Sequence, residues 1–142
     1  MDERAQRWIL DAVKGLDREM SQDACARVLE QCGRSCLPAG LREMAEAIGN
    51  KSETPSEAIE QLAKKIDVMR IEDDAIYMEY PECYCEHLQG VPAADTPDVF
   101  CQCSIGWIKE LFEAATGRSV NVTLEESVVR GGSRCRFRVL MS

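Results

Sequence analysis

Two cysteines separated by one residue, Cys101 and Cys103, stand directly before the most regular stretch of the sequence. Apolar side chains then recur at helical spacing from Ile105 to Thr116, with Ser104 placed to cap this helix and Gly117 to end it. The pair therefore lies at a predicted helix N-terminus, where partial positive charge favours a thiolate over a thiol. Because the thiolate is the form that binds metals or attacks electrophiles, this end of the helix is a candidate site.

Length and composition limit the class of protein. A chain of 142 residues suits one domain, 1–142, which can bury a core without disulfide bonds. The net charge of −8 and the scattered basic residues argue against a nucleic-acid partner. We find no signal-peptide pattern and no apolar run of membrane-spanning length, so we expect a cytoplasmic protein with no membrane partner. In that compartment, eight cysteines in close pairs predict ligands or redox groups rather than structural disulfides.

The hydrophobic period changes once and divides the chain into a helical part, 1–66, and a part with strands, 67–142. Apolar residues at helical spacing predict four helices in the first part, the second ending near Gly33 and the third at Gly49. Alternating apolar residues predict strands over 68–72, 75–80, 120–128 and 135–139. We therefore predict an α+β fold, with N-terminal helices followed by an antiparallel sheet of about four strands and one inserted helix.

A second cysteine pair, Cys83 and Cys85, lies upstream of the first across a predicted loop, 88–98. Two such pairs supply four sulfur ligands, the number that tetrahedral zinc requires, so we expect Cys83, Cys85, Cys101 and Cys103 to bind zinc. An iron–sulfur cluster and copper(I) are compatible with the same donors. A redox disulfide, or packing of the thiols as small hydrophobes, explains the pairs without a metal.

Three other residues are candidate metal ligands. Cys32 and Cys36 lie four residues apart, on one face if the second helix continues and close together if it ends at Gly33. They would complete the metal site, either by replacing one of the two cysteine pairs or by forming a cluster of six thiolates with both. His87 is the only histidine and follows Cys85 at an alternate position.

Large apolar side chains predicted to point inward from the inserted helix and the last two strands suggest a ligand cavity between helices and sheet. The expected lining residues are Trp107, Leu111, Phe112, Leu124 and Phe137. Glu126 falls on the same predicted inward face, where a carboxylate needs a partner or borders a cavity. It is a candidate general base beside a metal, unless it pairs with an arginine or a helix start, or a β-bulge turns it outward. We assign no catalytic residue.

The segment from Cys101 to Val139 resembles the C-terminal part of the 4-vinyl reductase domain family. The residues that carry the resemblance are Gly106-Trp107, Leu111-Phe112-Glu113, Gly117-Arg118, Glu126-Ser127, Gly131 and Cys135-Arg136-Phe137. Proteins of this family are regarded as binders of small molecules or hydrocarbons, and their fold is related to haem-dependent nitric-oxide-binding domains and to transport-particle subunits. The resemblance covers roughly the last third of the chain and implies that the single domain 1–142 is a ligand-binding α+β domain.

One departure from the family pattern concerns its metal or ligand site. Many members carry a cysteine at the position of Ser127, and that cysteine is taken to form a site with the one matching Cys135. This chain therefore lacks one of the two. Its other cysteines resemble those of an uncharacterised bacterial branch, and a related branch contains aminothiazoline-carboxylate hydrolases.

Three functions follow as hypotheses. The first is a zinc-stabilised domain that binds a small apolar ligand and acts as a sensor or accessory module without catalysing a reaction. A homodimer is compatible with this function. This hypothesis ranks first because a four-thiolate site is coordinatively closed, whereas catalytic zinc keeps an open position. The second is a thiol- or metal-dependent hydrolase of a small sulfur heterocycle or amide, and the third is a redox or metal-carrier protein.

Overall fold

The computed structural model describes residues 2–82 and 85–141. The α+β class and the predicted order of elements are confirmed. The helices are α1 (Glu3–Glu19), α2 (Gln22–Cys36), α3 (Ala39–Lys51), α4 (Pro55–Lys65) and α5 (Gln102–Thr116). The strands are β1 (Met69–Glu72), β2 (Ala75–Tyr80), β3 (Val120–Glu126) and β4 (Cys135–Met141). Short 3-10 turns cover Glu86–Leu88, Ala93–Asp95 and Asp98–Cys101, at the start, within and at the end of the predicted loop 88–98.

The helix starts use local hydrogen bonds that the sequence encodes. The Ser21 side chain accepts from Ala24 N at 3.2 Å at the start of α2. Thr54 accepts from Glu57 N at 3.1 Å at the start of α4, where Pro55 occupies the first turn. Each cap satisfies a backbone donor that has no partner inside the helix, so these boundaries follow from short sequence patterns.

The four strands form one antiparallel sheet in the order β1-β2-β4-β3. β1 and β2 are joined by a tight turn in which Asp73 and Asp74 both have positive φ, 47° and 69°. Such φ values match the turns that fit the twist of a two-residue hairpin. α5 lies between β2 and β3 in sequence, so it is the inserted helix that was predicted.

Backbone contact between α2 and α5 corrects the predicted end of α2. The helix does not stop at Gly33 but continues to Cys36. A Cβ on Gly33 would lie 1.7 Å from the carbonyl oxygen of Cys103, and one on Gly106 would lie 1.8 Å from the carbonyl oxygen of Glu30. The two glycines are therefore needed for the close approach of the helices rather than to end one of them.

The start of α5 also differs from the prediction. The helix begins at Gln102, directly after the 3-10 turn Asp98–Cys101, and Ser104 lies inside its first turn instead of capping it. Cys101 takes the cap position without a side-chain cap hydrogen bond. A turn that is already helical supplies carbonyls and geometry for the first turn of α5, so no side-chain cap is required.

Buried side chains form two clusters. The larger joins α3, α4 and α5 to the inner face of the sheet and includes Leu62, Met78, Ile108 and Phe112. The smaller joins α1 and α2 to the segment before α5, with Cys25, Leu29 and Phe100. Within the described residues, no helix is long and apolar enough to span a membrane.

Candidate functional site

A cavity of about 360 Å³ is bordered by residues from both clusters. It is bounded by the end of α2, the start of α5, the end of β2, the start of β4, and the segment 85–88. Its lining consists of Cys36, Pro38, Tyr80, Glu82, Cys85, Glu86, His87, Leu88, Phe100, Cys101, Cys103, Ser104, Trp107, Val129, Cys135 and Phe137. Five of these sixteen residues are cysteines and four are aromatic, so the site combines ring surfaces with soft sulfur donors.

The aromatic part of the lining comes from the sheet, from the 3-10 turn before α5 and from α5 itself. Tyr80 and Phe137 lie on neighbouring strands and meet edge to face, with ring centroids 6.3 Å apart and an interplanar angle of 81°. Burial, and then the neighbouring Cys135, raise the pKa of the Tyr80 hydroxyl above its ordinary value. Tyr80 is therefore neutral at physiological pH, and a bound ligand meets an uncharged phenol.

Thiols from three chain segments meet at one end of the cavity. Cys36 is the last residue of α2, Cys103 lies in the first turn of α5, and Cys85 precedes the turn that carries His87. The sulfur of Cys36 lies 3.9 Å from His87 Nε2. Burial, and then the nearby thiols of Cys85, Cys36 and Cys32, raise the pKa of Cys103 to about 12. The predicted thiolate at the helix start is therefore wrong for Cys103, because burial outweighs the helix dipole.

The other two lining cysteines are placed more deeply. Cys101 Sγ lies 3.0 Å from Ser127 Oγ, and both residues are buried. Val128 N donates to Cys135 Sγ at 3.5 Å. The 4-vinyl reductase resemblance places a metal or ligand site at two cysteines, one at position 127 and one at position 135. Here position 127 is a serine, so this pair of thiolates cannot form, and Cys101 is the second thiol in the corner.

The predicted zinc ligands are only partly brought together. Cys83 lies outside the described residues, while Cys85, Cys101 and Cys103 all border the cavity. Cys101 and Cys103 lie on helical backbone rather than on the extended backbone that would point both sulfurs the same way. In residues 2–82 and 85–141, no group of three or more His, Cys, Asp or Glu side chains stands ready to hold a metal ion. Cys36 borders the cavity, and Cys32 is exposed one turn earlier on α2.

Only some of the apolar residues expected to line the cavity do so. Trp107 and Phe137 border the cavity. Leu111 and Phe112 are fully buried in the larger cluster, and Leu124 packs against that cluster from β3. The cavity lies nearer the start of α5 than predicted, because the middle of this helix is covered by α3 and α4.

Glu126 does not face the cavity. A register irregularity between Leu124 and Glu126 turns this carboxylate toward the loop that follows β3. There it accepts from Ser133 N at 2.8 Å and Ser133 Oγ at 3.1 Å, and Arg134 Nε lies 3.3 Å away. These hydrogen bonds, the one from Ser133 N foremost, lower the pKa of Glu126. The sequence left open that a β-bulge turns Glu126 away from the inner face of the sheet, and this is the arrangement that the structure shows.

Several lining residues were not expected from the sequence. Leu88 is buried at the start of the predicted loop 88–98, Phe100 is buried just after it, and Tyr80 ends a strand just before Pro81. Apolar side chains at the borders of a loop are the only sequence signal that marks the first two. The loop is also attached to the helical part, because Gln6 Nε2 donates to the carbonyl oxygens of His87 and Gln89 at 3.0 and 2.9 Å.

Comparison with known sequences assigns the chain to a family. Residues 1–142 match the family described as "Family of unknown function (DUF6144)". The chain belongs to this family. A search of curated proteins finds no match. Membership of the 4-vinyl reductase family is not shown by this comparison.

Among solved structures, the DUF6144 chain is similar to "the phenol-responsive sensory domain of the transcription activator PoxR with Phenol". The TM-score is 0.58 at 14% sequence identity, and the match covers 96% of this chain and 74% of the other. Identity at this level shows a common fold and leaves the ligand open.

Proposed function

We propose that this DUF6144 protein is a small-molecule-binding domain of the sensor type, whose ligand is a mainly apolar molecule with one substituted ring. The observation that carries the proposal is the cavity of about 360 Å³ with Tyr80, Phe100, Trp107 and Phe137 in its lining. Volumes of about 300–1,000 Å³ with apolar, aromatic walls are typical of small-ligand sites. The phenol-responsive domain of similar fold supports the same class of function.

The size of the cavity limits the ligand. A cavity of about 150 Å³ accepts benzene, so about 360 Å³ leaves room for a ring with substituents. Polar groups in the lining, from Glu86 and Ser104, would orient a hydroxyl or amine on such a ring.

Calorimetric titration with phenol, toluene and cyclohexanol tests the proposal. We expect binding at one site per chain with a negative heat-capacity change, because apolar surface is buried. Ser104→Phe places a ring in the cavity and should abolish binding, while Ser56→Phe, the same change at an exposed position of α4, should leave it intact. If none of the three probes binds up to its solubility limit, or if all bind equally to Ser104→Phe, the proposal is wrong.

A thiol-dependent hydrolase is the second candidate, favoured by the contact between Cys36 and His87. A nucleophilic cysteine needs a base within hydrogen-bond reach and a third group that orients the base. The distance of 3.9 Å is long for this purpose, and His87 Nδ1 is buried without a hydrogen-bond partner in the described part of the chain. Binding without turnover is therefore the better supported function.

A further inference from the structure

One end of the cavity gathers soft metal donors from three separate chain segments. Cys36 comes from α2, Cys103 from α5, and Cys85 with His87 from the segment between β2 and α5. That segment is attached to α1 by the two hydrogen bonds from Gln6, so its donors are held against the helices. Three thiols and one imidazole are a common donor set of structural zinc.

Cys36 and His87 have nearly the separation that two ligands of one zinc ion require. Bonds of about 2.3 Å to sulfur and 2.0 Å to nitrogen at the tetrahedral angle place the two donors about 3.6 Å apart. Cys36 Sγ and His87 Nε2 are 3.9 Å apart. If Nε2 binds the metal, Nδ1 carries the proton, and within the described residues this buried N–H has no acceptor, so the site lacks the second hydrogen bond that usually orients a metal-ligating histidine.

We propose that Cys36, Cys85, Cys103 and His87 bind one zinc ion at the α2 end of the cavity. The site differs from the corner of Cys101, Ser127 and Cys135, which offers fewer thiols. It also does not require an organic ligand, so it stands independently of the proposed small-molecule function.

Closing the site takes side-chain rotation and loss of protons. A change of χ1 from one staggered well to the next moves a cysteine sulfur by about 3 Å, enough to turn a neighbouring thiol toward a shared centre. Zinc then replaces the protons of the three thiols, which are released to solvent, while neutral His87 donates a nitrogen lone pair. The resulting closed tetrahedron would link the end of α2 to the start of α5.

The test is a zinc titration of the reduced, chelator-treated full chain against a chromophoric competitor, repeated with Co²⁺ for its absorption spectrum. We expect one zinc per chain, proton release on binding, and thiolate-to-cobalt charge-transfer bands. Loss of an outer-shell partner already costs about 10–100-fold in metal affinity, so Cys36→Ser, Cys103→Ser and His87→Ala should each cost about 100-fold or more. Circular dichroism establishes that each variant is folded.

Cys32→Ser is the matched control, because Cys32 is exposed on the same helix and does not border the cavity. Its zinc affinity should equal that of the wild type. The proposal is overturned if no stoichiometric zinc is bound, or if Cys36→Ser and His87→Ala bind zinc like the wild type. It is equally overturned if Cys32→Ser loses zinc while Cys36→Ser retains it, or if only Cys101→Ala loses it. Phenol calorimetry on the metal-free wild-type chain separates failure of this site from failure of the cavity.

Discussion

At Cys103, two physical effects act in opposite directions on one thiol. The start of α5 stabilises negative charge by about 0.3–1 kcal/mol, which is less than one pKa unit. Burial and the neighbouring thiols raise the pKa of this cysteine from 9.0 to about 12. In the absence of metal, Cys103 is therefore protonated and a poor nucleophile at neutral pH. This argues for a ligand or packing role rather than for covalent catalysis.

Glu126 carries a prediction about pH. Its carboxylate accepts hydrogen bonds from Ser133 and Arg134, which keep the pKa in the folded state below the ordinary carboxyl value. A depressed folded pKa contributes stability that is present above the unfolded pKa and is lost as the pH falls through the folded pKa. We expect Glu126→Gln to melt below the wild type at pH 7, with the difference shrinking as the pH falls below the ordinary carboxyl pKa.

Thermal melting between pH 7 and pH 3 measures this effect. Glu60→Gln, at an exposed position of α4, is the control and should follow the wild-type curve at each pH. A constant difference between Glu126→Gln and the wild type across the whole range would contradict the assigned cause.

At the level of elements, the crossing of α2 and α5 is the contact on which the cavity depends. Ion pairs join the two helices, with Arg34 of α2 at 3.1 Å from Glu113 and 3.4 Å from Glu110 of α5, and Lys109 beside Glu30. Gly33 and Gly106 let the backbones approach between these pairs. The crossing thereby brings Cys36 close to Cys103.

Gly106→Ala tests the crossing directly. Its Cβ would meet the carbonyl oxygen of Glu30 at 1.8 Å, so the helices must separate. Overpacking of this kind typically costs about 1–3 kcal/mol, and a clash with backbone should reach the upper end of that range in urea denaturation. Gly15→Ala is the control, because its nearest neighbour is the end of the Arg18 side chain at 3.8 Å. That change should be neutral or stabilise α1 by up to about 1 kcal/mol. Similar losses or gains for both variants would show that the crossing is not specially close.

The helices and strands show which structural features can be predicted from local sequence and which cannot. The caps at Ser21 and Thr54 are local, and a helix was predicted after each of them, although the predicted end of α2 is wrong. Gly33 was read as a helix stop because a terminal glycine and a glycine at a helix crossing look the same without the partner helix. Glu126 was placed on the inner face because strict alternation does not reveal a bulge. Both errors arise from contacts between residues far apart in sequence.

For the whole molecule, contacts between residues far apart in sequence also limit how much of the site could be predicted. The α+β class follows from a change in hydrophobic period that is visible along the chain. The pairing of Cys36 with His87 joins residues 51 positions apart, and only the packing of α2 against α5 and the segment 85–88 brings it about. The cysteine pairs indicated thiol chemistry at the start of α5, but their own spacing did not identify the donor that lies nearest to the histidine.

A zinc ion at this site would join parts of the protein that belong to different clusters. Cys103 and Cys85 pack against the smaller cluster, while α5 continues into the larger one. Since the unfolded chain has no preformed site, the free energy of zinc binding adds to the free energy of unfolding. Free zinc at 100 times its dissociation constant should add about 2.7 kcal/mol. For a domain of this size, about 2–4 °C per kcal/mol gives a rise in Tm of roughly 5–10 °C.

Scanning calorimetry of the metal-free chain with and without added zinc measures this rise. Cys32→Ser should show the full increase in Tm and Cys36→Ser almost none, because only the second variant removes a proposed ligand. A chain that binds one zinc in solution but melts at an unchanged temperature would show that zinc binds the unfolded cysteines equally well. In that case the metal would not hold α2, α5 and the segment 85–88 together, and the cavity would depend on the helix crossing alone.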